Sequence, residues 1–255
     1  IGSTSCPGTD MISRMPAIRL ATKAIIDSCT TPPDLDPPFT QVTDYPWKSS
    51  NFKVTFNDED APDGSGIRDR FYQPLDFDGS SWNTNTTNGF IRDDFSNLNS
   101  NWTTSTGTWN TNSQTLNQTD AGITNTNIYF PLPQTNQTSY LYHWKAYISG
   151  AGTNKRSGLH FFVDNPTLAN RGNSYLAWYR DDNNRFELYR TNNDVLNMVL
   201  QVNINIPTNT WFDCKVIYHP STGVIMAYLN DQLIGTYTDP SPLQSGSYVS
   251  FRNGD

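Results

Sequence analysis

Apolar and polar residues alternate with a period of two along most of this chain. In Trp211–His219, Phe212, Cys214, Val216 and Tyr218 fall on one face and Asp213, Lys215 and Ile217 on the other. Successive side chains of a strand point to opposite faces, so this pattern predicts a half-buried β-strand with Cys214 as a small core hydrophobe. The same alternation predicts strands over 140–148, 158–163, 174–180, 185–190, 198–206, 224–230 and 232–238, separated by turns rich in Gly, Asn and Pro. VIMAYLN and LIGTYT, joined by a short polar connection, form a hairpin. Further upstream, Phe52, Val54 and Phe56 alternate with Lys53 and Thr55, and 70–75 reads as another strand, ended by the turn DFDGSSW.

A helical period appears in one place. Over residues 10–28, Met11/Ile12, Met15, Ile18/Arg19, Thr22 and Ile25/Ile26 recur every three to four residues, with Thr9 or Asp10 as N-cap and Pro16 in the first turn. TTPPDLDPPFTQ follows as a stiff linker. The expected organisation is a segment 1–29 carrying the helix, a linker 30–41, a small β module 42–88 and a β-sandwich 89–255. The fold class is mainly β.

Composition strengthens the β reading. Of 255 residues, 13% are aromatic and only 16% charged, while Thr and Val are plentiful and helix formers scarce. The net charge of -7 disfavours nucleic acid and anionic membrane surfaces as partners. Three cysteines (Cys6, Cys29, Cys214) do not make a disulfide framework, and no apolar run has the length, about 18 residues, of a membrane span. The composition suggests export, although no signal-peptide pattern is visible. The opening IGSTSCPGTD, without a methionine, reads as the interior of a longer protein.

Two stretches resemble known families. STSCPGTDMISRMPAIR resembles the end of the zinc-dependent N-acetylmuramoyl-L-alanine amidase domain shared with peptidoglycan recognition proteins. That resemblance implies that Cys6 is a zinc ligand beside two histidines from upstream, with Pro7 and Gly8 aiming it and a closing helix behind. A zinc with three protein ligands lowers the pKa of its bound water to about 7, and the hydroxide would attack the lactyl–L-alanine amide. The histidines present, His143, His160 and His219, all fall in the β region, where they read as strand residues with ordinary hydrogen bonds. This chain by itself therefore does not assemble the zinc site.

FIRDDFSNLNSNW, with WFDCKVIYHPSTGVIMAYLNDQLIG, looks like a concanavalin A-like (laminin-G/glucanase-type) jelly-roll, in which a further strand normally follows SYVSFRNG. Residues 38–82 are similar to small Ig-like repeats of bacterial surface proteins. Together the resemblances imply the C-terminal part of a secreted or cell-surface bacterial peptidoglycan amidase, with β modules that hold peptidoglycan or another glycan. The alternative is a non-catalytic glycan-binding or adhesin-type surface protein.

Candidate chemistry in the sandwich is that of binding. Glucanases of this fold carry paired carboxylates on one strand, whereas Glu187 is the lone glutamate among Asp181, Asp182 and Asp194. Sugars stack on aromatic rings while polar side chains bond their hydroxyls. Residues 171–190 offer Trp178, Tyr179 and Tyr189 beside Arg171, Asn173 and Arg180 as a carbohydrate-binding set. Alternate aromatics equally make a sandwich core. Asp181-Asp182-Asn183 offers oxygens to Ca²⁺.

Overall fold

A computed structural model describes residues 39–42, 53–60, 67, 69–150 and 152–254. Cys6, the predicted 10–28 helix and most of the predicted linker lie outside the described residues. The chain divides into two units at Arg70/Phe71.

In the first unit, β1 (Phe39–Val42) pairs antiparallel with β2 (Phe56–Glu59). Thr40 Oγ1 donates to Asp58 Oδ1 at 2.7 Å, and Arg70 forms an ion pair with the same carboxylate. The strand thus starts where the expected 52–56 alternation ends.

In the second unit, β3 (Leu75–Phe77) and β4 (Trp82–Thr84) flank the DGSS turn, which Asp78 closes by accepting bonds from the Ser80 and Ser81 amides at 2.9 Å each. Gln73 Nε2 donates to the Ile91 carbonyl at 2.7 Å, and the Tyr72 ring lies 5.8 Å from Phe90. These contacts tie 71–84 to the start of the sandwich.

The sandwich follows in chain order as β5 (Thr103–Thr106), β6 (Trp109–Thr111), β7 (Leu116–Gln118), β8 (Asn127–Thr135), β9 (Tyr140–Tyr147), β10 (Arg156–Val163), β11 (Ser174–Arg180), β12 (Arg185–Asn192), β13 (Val195–Asn203), β14 (Trp211–His219), β15 (Val224–Leu229), β16 (Gln232–Thr238) and β17 (Ser245–Gly254). A seven-stranded antiparallel sheet runs β13-β12-β11-β10-β17-β8-β5, and a four-stranded sheet runs β16-β15-β14-β9. The core lies between them. The larger sheet contributes Ile128, Phe130, Phe161, Tyr175, Ala177, Tyr179, Phe186 and Leu188, and the smaller contributes Phe212, Cys214, Val216, Tyr218, Ile225 and Ala227. These are the inward positions of the two-residue period, and Cys214 is fully buried among them.

One strand runs against the local pattern, while the predicted hairpin follows it. Strand β8 contains Pro131 and Pro133, residues that normally argue against a strand inside a sheet. Its neighbour β5 pairs with it only over 127–129, so both prolines lie beyond that ladder. The hairpin turn at Asn230 and Asp231 has φ of +48° and +65°, the left-handed pair that suits a two-residue connection between right-twisted strands.

Candidate functional site

The outer face of the larger sheet is where register gathers the chemistry. Strands β10, β11, β12, β13 and β17 align Asn203, Arg185, Arg180, Arg156 and Gly254 in one cross-strand row. The next row on the same face is Gln201, Glu187, Trp178, Gly158 and Arg252, and beyond it stand Met198, Tyr189, Leu176, His160 and Ser250. Three arginines therefore stand side by side, an arrangement that like-charge repulsion disfavours unless anions balance it.

Gly158 makes the platform flat. A Cβ there would overlap the Ala177 carbonyl oxygen and press on Trp178, so its absence lets the indole lie across the strand. Arg156 and Arg252 each place a guanidinium 4.5 Å from the Trp178 ring centroid, and Arg180 stands at 5.6 Å. Such cation–π contacts are worth roughly 0.5–2 kcal/mol each, depending on desolvation. Tyr189 meets Trp178 edge-on at 6.1 Å.

Two carboxylates offset part of the positive charge. Glu187, fully buried, accepts from Arg180 Nη1 at 2.9 Å and from the Tyr189 hydroxyl at 2.7 Å. Arg185 Nε lies 2.5 Å from its other oxygen, an ion pair outside hydrogen-bond geometry. Asp182 takes Arg180 Nε at 3.0 Å and Nη2 at 2.5 Å, and this contact, against the cost of burial, raises the Arg180 pKa. Burial, with Glu187 behind it, raises that of Tyr189. Among the described residues, Arg156 and Arg252 have no carboxylate of their own. Burial lowers the Arg252 pKa to about 10, with neighbouring Arg156 adding to it, and burial followed by Arg180 lowers that of Arg156.

The residues expected to bind sugar thus separate. Trp178, Arg180 and Tyr189 come together on this face. Tyr179 does not: its ring is fully buried between the sheets, 5.0 Å from Phe186, and its hydroxyl donates to the Tyr228 carbonyl at 2.8 Å. A two-residue period puts neighbours 178 and 179 on opposite faces, which corrects the grouping of both rings in one site. Trp178 is itself only 3% exposed, because guanidinium groups cover its ring.

Arg171 and Asn173 lie in the 164–173 connection. Arg171 is 1% exposed, and its guanidinium donates to Asn125 Oδ1 (2.7 Å), the Ala169 (2.6 Å) and Thr126 (2.7 Å) carbonyls and Ser250 Oγ (3.2 Å). Asn173 donates twice to Asp164, at 2.8 and 2.6 Å, and accepts from the Asn193 amide at 3.0 Å. Both act as braces of the loop rather than as groups presented to a ligand. Sequence reasoning missed Arg156 and Arg252 because each is remote in the chain, and only strand pairing brings them beside Trp178.

The histidines have partners of the expected kind: His143 with Asp213 (2.7 Å), His160 with Ser174 (3.0 Å) and His219 with Ser139 (2.7 Å). In the 181–183 turn, Asp182 pairs with Arg180 and Asp181 stands 3.4 Å from Lys155. Among the described residues no group of three or more His, Cys, Asp or Glu side chains is placed to hold a metal ion. A second aromatic feature, missed by the sequence, is the exposed pair Tyr147 and Trp211, 5.4 Å apart on the outer face of the smaller sheet.

No protein-family model and no curated protein matches this chain. Among solved structures, it is similar to the carbohydrate-binding module CBM66 from Bacillus subtilis, with 17% identity, a TM-score of 0.51, and coverage of 60% of this chain and 89% of that one. This chain has the fold of that module. A prokaryotic β-1,3-1,4-glucanase from a mouse hindgut metagenome aligns at 10% identity over 64% of this chain and 85% of its own, with a TM-score of 0.47. The carbohydrate recognition domain of Emp47p aligns at 12% identity over 64% of this chain and 85% of its own, with a TM-score of 0.45. The expected mainly β sandwich is the class observed, in antiparallel sheets of seven and four strands. These likenesses concern the sandwich and give no support to an amidase or an Ig-like module.

Proposed function

We propose that the sandwich is a glycan-binding module whose platform is the outer face of the larger sheet. The observation that carries this reading is the set of three successive cross-strand rows on one face that place Trp178, Tyr189 and Glu187 among Arg156, Arg180, Arg185 and Arg252. Guanidinium groups and amides such as Gln201 and Asn203 suit sugar hydroxyls, and an ordered sheet presents them without loop rearrangement. The fold shared with a carbohydrate-binding module supports the same reading. No sugar needs to stack directly on Trp178 in this proposal; the indole is the floor that fixes the arginines.

This reading corresponds to the non-catalytic alternative. Attachment to a zinc amidase, with Cys6 as a ligand of the parent site, rests on the resemblance of residues 1–29 alone. The test of the binding proposal is a glycan-panel and peptidoglycan pull-down with the whole chain, repeated with Trp178→Ala and Trp211→Ala. Loss of binding in the first with retention in the second is the expected result. The opposite pattern would move the site to the smaller sheet.

A further inference from the structure

The charge count of this face singles out a class of ligand. Arg156, Arg180, Arg185 and Arg252 converge on one patch, and Glu187 and Asp182 are the carboxylates paired within it. Both carboxylates are committed to Arg180 and Arg185. Arg156 Nε and Arg252 Nε are buried without a hydrogen-bond partner among the described residues, so only the Nη ends of these guanidinium groups are left for a ligand; Arg252 is 7% exposed, and its Nη1 makes one long contact, 3.3 Å, to Asn170 Oδ1. Arg156 and Arg252, packed on one indole with the nearby Asp182 and Glu187 already paired to other arginines, raise the free energy of the unliganded state. A protein of net charge -7 would not gather them here for general electrostatics.

We infer that the glycan taken by this face is acidic, with Arg156 and Arg252 receiving the carboxylate of a uronate-type sugar. This inference rests on the reading of the face as a glycan platform and specifies what that platform selects. The planar guanidinium fork matches a carboxylate through two parallel N–H···O bonds, which ammonium groups and hydroxyls do not reproduce. The Trp178 ring holds both forks from below, so their orientation is set before the ligand arrives. A sulfate ester would present the same negative oxygens in tetrahedral form.

The test uses the whole chain and a panel of polygalacturonate, alginate, dextran sulfate, dextran and methyl-esterified polygalacturonate, measured by affinity electrophoresis and calorimetry. Uronate polymers are expected to bind at low salt, to weaken as NaCl rises, and to bind at least about 10-fold tighter than the methyl ester, whose carboxylates are neutralised. Arg156→Gln is expected to lose about 10- to 100-fold in affinity for polygalacturonate while its melting temperature stays level, because removal of a cation without its own carboxylate offsets the lost cation–π contact. A merely structural arginine would lower the melting temperature instead. Preference for dextran sulfate over the uronates would overturn the carboxylate assignment. Equal binding to the acidic polymer and its ester, unmoved by salt, would overturn the inference and leave the glycan reading standing. Binding to no member of this panel or of the wider glycan panel would overturn both.

Discussion

Replacing Glu187 by Gln removes the negative charge at the centre of the arginine row with little change of shape. The carboxylate is fully buried and has Arg180 Nη1 at 2.9 Å, Arg185 Nε at 2.5 Å and the Tyr189 hydroxyl at 2.7 Å. At an effective dielectric of about 20, each ionic contact at roughly 3 Å is worth about 5 to 6 kcal/mol before desolvation. Several kcal/mol of desolvation per ion offsets most of that in the intact site, but the substitution leaves the arginines buried with their partner gone, which costs about 3–5 kcal/mol. Arg180 keeps Asp182 at 2.5 Å, so the lower end, about 3 kcal/mol, is expected. For a unit of this size that corresponds to a fall of roughly 6–12 °C in melting temperature. Urea denaturation monitored by tryptophan fluorescence gives the free energy, and calorimetry the temperature. The double variant Glu187→Gln/Arg185→Gln should recover part of the loss, since one stranded cation goes with its anion. A loss below about 1 kcal/mol, or no coupling in the double variant, would refute the claim that Glu187 balances the row.

Other consequences are as specific. His160 is fully buried, with its pKa held well below the ordinary 6.5 by burial first and by Arg171 and Arg252 after it. The unfolded chain therefore binds a proton that the native one refuses. Its contribution to stability is fully present above about pH 6.5 and is lost as pH falls, by up to about 1.4 kcal/mol per pH unit; His160→Gln should flatten that part of a denaturation-versus-pH curve, and an unchanged slope would contradict it. Gly158→Ala drives a Cβ against the Ala177 carbonyl oxygen and Trp178, and should cost about 2–4 kcal/mol in urea denaturation; a neutral substitution would mean the indole is not seated there. Burial pushes the Cys214 thiol pKa up, so peptide mapping after iodoacetamide treatment should find it unmodified in the native protein and alkylated after denaturation. Labelling in the native state would place it outside the core.

Much of the sandwich was legible in the sequence because a two-residue period survives in strands buried on one face. Trp211–His219, Ser174–Arg180 and Gln232–Thr238 fall where the alternation puts them. Strand β8 was not legible, because its prolines are tolerated only where β5 stops short, and that is a fact of pairing between distant segments. The site was half legible for the same reason. Trp178, Arg180 and Tyr189 lie close in sequence, on β11 and its hairpin partner β12, whereas Arg156 and Arg252 reach the face from β10 and β17. Tyr179 was misplaced by treating a run of aromatics as one surface when the strand sends alternate rings to the core. Arg171 looked like a ligand donor from composition, yet four hydrogen-bond acceptors consume its guanidinium inside the loop.

The most direct test of the account is an NMR titration of the ¹⁵N-labelled chain with trigalacturonate, following the arginine Nε–H and tryptophan Nε1–H signals. The account predicts that Arg156, Arg252 and Trp178 shift together and saturate with one affinity, while Trp211 on the opposite sheet stays in place. Shifts confined to Trp211 and Tyr147, or none at the arginines, would contradict it.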